Sequence, residues 1–540
     1  MGSKAPIHAP HHGFKMNIGL FTGPTFRPHV DHVAWLGRLA RDAGHRVIGL
    51  SCDGAVPDCY SRALLGRGRI GCFACSVAGL RSDPTLDVQS ARGVHPAAEP
   101  PPGWHPDEIL SSIRTLLREE DDERLASPEA DSLRARLAPS AARMFAIVHE
   151  WIGRERLDAM LVFNGRMDIT RAAIRAARQR GIAFATVERA SFDTGIRILA
   201  MTDCNSPRNE ERVQLAFRDA PLLREQALLA AEFIARRVMR LPVSEWRSYN
   251  PDRKPAGWPA AAAATRVLVG PSSQYEVRGE EGWTELGDMR DAVDEVVARL
   301  PRPVSVVVRG HPVWGERIAG TSGASAAAYY REWCARRGYV FIEPESNADT
   351  RSLMLQADLV LATGGTIGIE AACAGRAVLA LAPCYYRRSG AVGDAVGPGA
   401  AASALGILDV SPRERMRRAL RSLYAHAFRT TQYCGYARPV PASQGASWEF
   451  RDGADFTQVE TALRTGWTQP DDERTALGIE AEDGVIAMME HEDWVEITNQ
   501  AQAVRQRIAT GTWRRPAVAL AASVLLTIRG RLPKGDRLRG

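Results

Sequence analysis

Thr363-Gly364-Gly365-Thr366 lies between an apolar run, Leu359-Val360-Leu361-Ala362, and a helix-forming stretch that begins at Ile367. A buried strand that hands a glycine turn to a helix start presents backbone N–H groups to an anion, and phosphate suits such a turn. Glu370, early in the following helix, has the reach to accept two hydroxyls of a ribose or a sugar. The plainer reading of Glu370 is a carboxylate placed favourably near the helix dipole. Ser272 and Ser273, after the strand-like Thr265–Gly270, add hydroxyls at a second strand end.

A third strand end carries Arg309-Gly310-His311-Pro312 after Val304-Ser305-Val306-Val307-Val308. The proline restricts His311 to an extended backbone, which could aim its imidazole across the crevice. His311 with Arg309 beside it could donate to a diphosphate or phosphomonoester; a structural histidine at a strand exit is the alternative. In the other half, Asn164, Arg166 and Asp168 follow the run Ala159–Phe163, and Glu188-Arg189 follow Ala183–Val187. Asn164, Arg166 and Arg189 are candidate ligands for the hydroxyls of an acceptor. Removal of a proton from an acceptor hydroxyl needs a carboxylate or comparable base, with Glu188 first and Asp168 second. Local ion pairs that hold strands and a loop together would use the same residues.

Cys52, Cys59, Cys72 and Cys75 form a C-x6-C and a C-x2-C. Four thiolates suit tetrahedral zinc, and the second pair is an ordinary half-site, though the first is looser than a knuckle. Buried free thiols or a redox role compete with structural zinc. Cys204, Cys334, Cys373, Cys384 and Cys434 read as packing residues.

The elements that must position these groups alternate strand and helix. Asn17–Phe21, a helix from His29 to Ala43 and Arg46–Leu50 open the chain. Ala159–Phe163, a helix over 169–180 and Ala183–Val187 follow. Residues 81–105, rich in Pro, Ala and Gly, read as an excursion rather than core. From Thr265 onward the alternation is regular through Ala377–Leu381, so the sheet is expected to be mostly parallel. The resulting architecture is α/β: two Rossmann-like domains facing a cleft, with additional C-terminal helices. The boundaries expected are 14–260 for an acceptor-side domain with a cysteine-rich insertion, 261–410 for a nucleotide-sugar-binding domain, and 411–540 for helices packing back across the molecule.

At 540 residues the chain exceeds one ordinary core. Its 69 basic against 63 acidic residues give a net charge of +6, too modest to make nucleic acid the expected partner. Residues 1–13 read as a polar lead without signal-peptide character, and the sparse cysteines do not form a secreted disulfide scaffold, so a cytoplasmic location is expected. The apolar run Pro516–Ile528, flanked by Arg514-Arg515 and Arg529, is too short for a comfortable membrane span. It reads as a packed terminal helix or as a peripheral anchor to the inner face of a membrane or to polysaccharide machinery.

Taken together, His311-Pro312, the turn with Gly364, Gly365, Thr366 and Gly368, Glu370, and the Asn164-Gly165-Arg166 segment with Glu188 resemble bacterial capsule and surface-polysaccharide biosynthesis glycosyltransferases. The resemblance covers roughly residues 160–200 and 266–383. It implies a GT-B-like fold, a nucleotide-sugar donor held by the second domain, a lipid-linked, saccharide or small-molecule hydroxyl acceptor, and no metal or other cofactor required for transfer. Carried over, His311 meets the donor phosphate, Gly365 and Thr366 donate to it, and Glu370 binds the nucleotide sugar. Arg309-Gly310 before His-Pro, and Thr366 where serine is common, depart from the pattern and leave the donor nucleotide open. A nucleotide-sugar 2-epimerase-like enzyme and a non-catalytic saccharide-binding or assembly protein are the competing expectations.

Overall fold

The computed structural model describes residues 15–514 apart from 67, 82–84, 97–101, 121, 193, 243–251, 260–264, 284–286, 319–320, 441–446 and 509–512. The polar lead and the apolar run Pro516–Ile528 therefore lie outside the described residues.

Two sheets organise the chain. The first contains β1 (Asn17–Phe21), β2 (Arg46–Ser51), β3 (Asp87–Ser90), β4 (Ala159–Phe163), β5 (Ala183–Arg189) and β6 (Ile196–Ala200). The second contains β7 (Thr265–Gly270), β8 (Val304–Arg309), β9 (Val340–Ile342), β10 (Leu359–Ala362), β11 (Ala377–Ala380) and β12 (Gly393–Asp394). A late strand, β13 (Thr431–Gln432), returns to the first sheet. The spatial orders are β13-β6-β5-β4-β1-β2-β3 and β9-β8-β7-β10-β11-β12. All pairs in the second sheet are parallel, and the first is parallel from β5 through β3. Both are therefore Rossmann-like sheets whose order reverses at one point: between β1 and β4 in the first, and between β7 and β10 in the second.

Parallel strands covered on both faces must be apolar throughout. Leu359–Ala362, Ala377–Ala380 and Ala159–Phe163 obey this, with every residue buried. Around them run α1 (His29–Asp42), α2 (Leu110–Leu117), α3 (Pro128–Glu155), α4 (Asp168–Gln179), α5 (Arg224–Val238), α6 (Ile367–Cys373), α7 (Pro412–Tyr424), α8 (Glu480–Glu490) and α9 (Trp494–Ile508). Phe145 and Trp151 of α3 and Ile174 of α4 pack with Met160 and Phe184 of the first sheet.

Chain segments cross between the halves. Leu228 and Phe233 of α5 share the second sheet's core with Val360, Val378 and Ile369, and Leu420, Ile486 and Ile497 from the late helices join them. Trp448, Phe450, Phe456 and Val459 instead cover Ile18, Leu20 and Trp35 of the first half. Residues 81–105 are not only an excursion: Asp87–Ser90 extends the first sheet as β3, paired in parallel with β2. Its sequence, DVQS, has one apolar residue because an edge strand needs little else.

Candidate functional site

In an open α/β sheet a ligand sits outside the carboxyl ends of the strands where the order reverses. At the second sheet's reversal, β7 ends at Gly270 and continues into Pro271-Ser272-Ser273. Beside it, β10 ends at Ala362 and continues into Thr363-Gly364-Gly365-Thr366. The two turns are joined directly, because the Ser272 backbone N–H donates to Thr363 Oγ1 at 2.7 Å. Gly364 has φ +117°, a conformation that glycine alone adopts without strain.

Close packing explains two further glycines. A Cβ at Gly270 would meet Ile367 Cγ2 at 2.6 Å, and one at Gly368 would meet the Tyr386 hydroxyl at 2.5 Å. Tyr386 in turn donates to the Gly365 carbonyl at 2.7 Å, fixing the turn from below. A Cβ at Gly365, by contrast, would touch nothing nearer than Ser272 Cβ at 3.9 Å, so that side of the turn faces open space.

Ser273 and His311 belong to the same neighbourhood. Trp314 donates from Nε1 to Ser273 Oγ at 2.9 Å, and the His311 and Trp314 rings stand 6.1 Å apart. His311 Nδ1 accepts from the Val313 N–H at 3.2 Å, which assigns the ring proton to Nε2. Burial pushes the imidazole pKa down to about 4, with the Arg309 and Arg118 charges acting in the same direction. His311 is thus a neutral hydrogen-bond donor at physiological pH.

Arg309 does something else. Its guanidinium donates to the Gly310 carbonyl at 3.0 Å, the Glu343 carbonyl at 2.5 Å and the Ser346 carbonyl at 3.0 Å, and the residue is buried. Expected as a phosphate ligand, it instead satisfies the carbonyls of the loop after β9. Glu370 is half-buried and pairs with Arg237 of α5 at 3.0 Å, so any ribose hydroxyl there would meet a carboxylate already oriented by an arginine.

In the first sheet the expected residues separate into two groups. At the ends of β4 and β5, Asn164 Nδ2 donates to Glu188 Oε2 at 3.2 Å, and the Arg189 N–H donates to Glu188 Oε1 at 2.9 Å. Asn164 takes a left-handed backbone, φ +64°, and its Oδ1 accepts from the Arg166 N–H at 2.9 Å. Glu188 has a third partner that sequence reasoning missed. His29, first residue of α1 and next to the β1–β4 reversal, places Nδ1 3.0 Å from Glu188 Oε1. The His29 ring stacks on Phe163 with centroids 4.3 Å apart. Burial lowers the His29 pKa; Glu188 pulls it up and the Arg189 charge pushes it down, with a net lowering. Among the described residues Nδ1 makes no hydrogen bond, so the contact with Glu188 is one of charge and proximity. The sequence signal was weak: His29 opens α1 after a turn, well beyond the end of β1 at Phe21, whereas His311 stands almost directly after β8.

The second group is structural. Asp168 is sealed, its Oδ2 accepting from the Tyr60 N–H at 2.6 Å and its Oδ1 from the Ile169 N–H at 2.7 Å. A carboxylate spent on the start of α4 cannot reach an acceptor hydroxyl, so Asp168 is no base in this conformation. Arg166 is also buried. Its Nη1 donates to Ser111 Oγ at 3.1 Å, Thr115 Oγ1 at 2.9 Å and the Glu276 carbonyl at 3.0 Å. It is a clasp between the two halves rather than an acceptor ligand.

The same loop, Ser272–Trp283, is held at other points. Gln274 N–H donates to Glu120 Oε2 at 2.9 Å, Asn205 Nδ2 to the Glu276 carbonyl at 2.8 Å, and Trp283 Nε1 to the Asn205 carbonyl at 2.9 Å. Arg171 and Glu280 form a buried ion pair alongside. The loop that borders the glycine turn is therefore anchored on the half that carries Glu188.

The four early cysteines line one cavity of about 250 Å³ with Pro24, Thr25, Arg27 and Ile169. Among the described residues no group of three or more His, Cys, Asp or Glu is arranged to hold a metal ion, so the structure does not support structural zinc. Cys75 Sγ accepts from the Thr25 N–H at 3.4 Å and from Thr25 Oγ1 at 3.2 Å, and burial pushes the Cys52 thiol up to about 11. All four are free, half-buried thiols. Among the described residues, no helix is long and apolar enough to cross a membrane.

No family model matches the chain, and no curated protein matches it. Among solved structures, the chain is similar to the KpsC beta Kdo 2,4 transferase of Thermosulfurimonas dismutans at 16% identity, covering 51% of this chain and 80% of that one, with a TM-score of 0.32. It is similar to the KpsC beta Kdo 2,7 transferase of the same organism at 13% identity, 64% and 89% coverage and a TM-score of 0.31. The UDP-GlcNAc 2-epimerase of Neisseria meningitidis, solved bound to UDP-GlcNAc, aligns at 12% identity over 76% of this chain and 96% of that one, TM-score 0.25. The strand orders themselves define the class: a mixed α/β protein with two Rossmann-like sheets, completed by C-terminal helices.

Proposed function

We propose that this protein is a glycosyltransferase that moves a sugar from a nucleotide-sugar donor to an acceptor hydroxyl, in surface-polysaccharide or glycoconjugate biosynthesis. One observation carries the reading. The joined turns of Ser272-Ser273 and Thr363–Thr366 meet at the second sheet's reversal with the Gly365 side open, and the loop beside them is tied to the half that bears the Glu188–His29 pair.

In this reading the donor phosphate lies against the N–H groups and hydroxyl of Gly365 and Thr366, with Ser272 and the Nε2–H of His311 beside it, and Glu370 meets the ribose. Fixed donors around a developing phosphate charge stabilise the transition state because they need no reorganisation as charge builds. The sugar's anomeric C–O bond breaks toward the phosphate, and the acceptor oxygen forms the new bond. Its proton passes to His29 Nε2. Glu188, already accepting from Asn164 and Arg189, lies 3.0 Å from His29 Nδ1 and stabilises by its charge the imidazolium that forms. Arg166 keeps the halves in register, and the arginine-paired Glu370 completes the donor side.

The test is release of nucleotide from a panel of UDP-, GDP- and CMP-sugars, with saccharide and lipid-linked acceptors. His29→Ala and Glu188→Gln should each lower acceptor-dependent turnover by about 10²-fold or more. Formation of an isomeric nucleotide sugar without acceptor would replace transfer by epimerisation. Normal turnover by both variants would remove the proposed base.

A further inference from the structure

Residues 60–81, YSRALLGRGRIGCFACSVAGLR, contain four arginines and not one Asp or Glu. They fold as two helices, Tyr60–Leu65 and Arg69–Arg81, joined by a turn with Gly66 at φ +59°. The inner side of this unit is well anchored: Tyr60 is buried and its N–H donates to Asp168. The outer side carries exposed apolar groups. Leu65 is 42%, Ile70 48% and Phe73 73% exposed, and Arg69 is exposed between them.

Large apolar side chains so close in sequence and all exposed are unusual, because water penalises each of them and folding gains nothing from leaving them out. The charge pattern identifies the covering phase. Exposed Leu65, Ile70 and Phe73 beside the exposed Arg69, on a segment whose sequence carries no acid, match the headgroup region of an anionic bilayer, where apolar tips insert and a guanidinium meets lipid phosphate. The same unit supplies Arg62, Leu65, Cys72 and Cys75 to the 250 Å³ cavity that reaches Pro24–Arg27, two residues before His29. The surface therefore borders the acceptor side of the molecule.

We propose that the helix pair 60–81 is a docking surface for an anionic lipid bilayer, with Leu65, Ile70 and Phe73 entering the interface and Arg69 engaging lipid phosphate. This surface is separate from the C-terminal apolar run and does not depend on the transferase reading.

The test is sedimentation of the full chain with vesicles of phosphatidylcholine alone, and of phosphatidylcholine containing one-third phosphatidylglycerol. Binding is expected to the anionic vesicles and to weaken with added salt. The combined variant Leu65→Ser, Ile70→Ser, Phe73→Ser should weaken it by at least ~10-fold, as should Arg69→Glu to a lesser degree, with the thermal transition unchanged. Hydrogen–deuterium exchange of the unaltered protein supplies an independent readout: anionic vesicles should protect 60–81. Equal binding to both vesicle types, undiminished binding by the triple serine variant, or no protection of 60–81 would overturn the proposal. So would absence of vesicle binding by a protein that self-associates through the same three residues, which would make this face a contact between copies of the chain.

Discussion

Arg166, at the end of one sheet's fourth strand, donates from Nη1 to the Glu276 carbonyl in the loop that leaves the other sheet's first strand, at 3.0 Å. Through that bond and those to Ser111 and Thr115, one guanidinium joins three segments: α2, the β4 exit, and the loop beside the glycine turn.

Arg166→Lys keeps the charge and loses the planar fork that serves several acceptors at once. Ser111, Thr115 and Glu276 would then share fewer donors. Global stability is expected to fall by about 1–3 kcal/mol, read as a lower denaturation midpoint. If transfer activity is present, KM for the donor should rise more than kcat falls, since the loop's placement changes and the base does not.

Gly368→Ala tests the turn from behind. Its Cβ would lie 2.5 Å from the Tyr386 hydroxyl, which holds the Gly365 carbonyl. The strain of overpacking should cost about 1–3 kcal/mol. Tyr386→Phe removes the hydrogen bond without the clash. It should lower nucleotide affinity with a smaller loss of stability, measured by calorimetric titration and thermal unfolding side by side.

Much of this was legible in the chain, and the reasons are physical. Leu359–Ala362 and Ala159–Phe163 match their expected spans because an apolar run bounded by turn residues leaves few alternatives. The strand ends at Asn164, Glu188, Ser272 and Thr363 followed from those spans. Three kinds of feature were not legible. Edge strands such as Asp87–Ser90 and Thr431–Gln432 lack an apolar signature. The difference between Arg309, bound to loop carbonyls, and an arginine facing a ligand depends on side-chain direction, which spacing does not carry. The His29–Glu188 pair joins residues far apart in sequence and needed the fold to bring them within 3.0 Å.

Glu120 gives a pH prediction. It is fully buried, its Oε2 accepts from the Gln274 N–H, and burial raises its pKa from the ordinary 4.5 to about 8. A raised folded pKa favours the protonated acid in the native state. The contribution of Glu120 to stability is therefore whole below pH 4.5 and is lost as pH rises through about 8. Glu120→Gln, which keeps an acceptor for Gln274 and cannot ionise, should be more stable than the unaltered protein at pH 8 and should show a flatter dependence between pH 5 and 8. Chemical denaturation at a series of pH values measures both.

The base should also show itself by titration. Burial holds His29 below the ordinary histidine value of 6.5, so the acid limb of kcat should lie below that value. His29→Ala should abolish this limb along with most of the rate, whereas Asp168→Asn should leave the limb in place and act on stability, because Asp168 serves the Tyr60 and Ile169 amides.

Gly365 offers the most direct measurement. A Cβ there meets no atom nearer than 3.9 Å beyond its chain neighbours, so Gly365→Val should fold with little change in its thermal transition while filling the space where the donor phosphate is proposed to lie. Isothermal titration of UDP, GDP and CMP into the unaltered protein should reveal binding of at least one nucleotide, and Gly365→Val should weaken that binding by at least ~10-fold. A folded Gly365→Val protein that binds the nucleotide as tightly as the unaltered chain would contradict a phosphate site at the reversal of the second sheet.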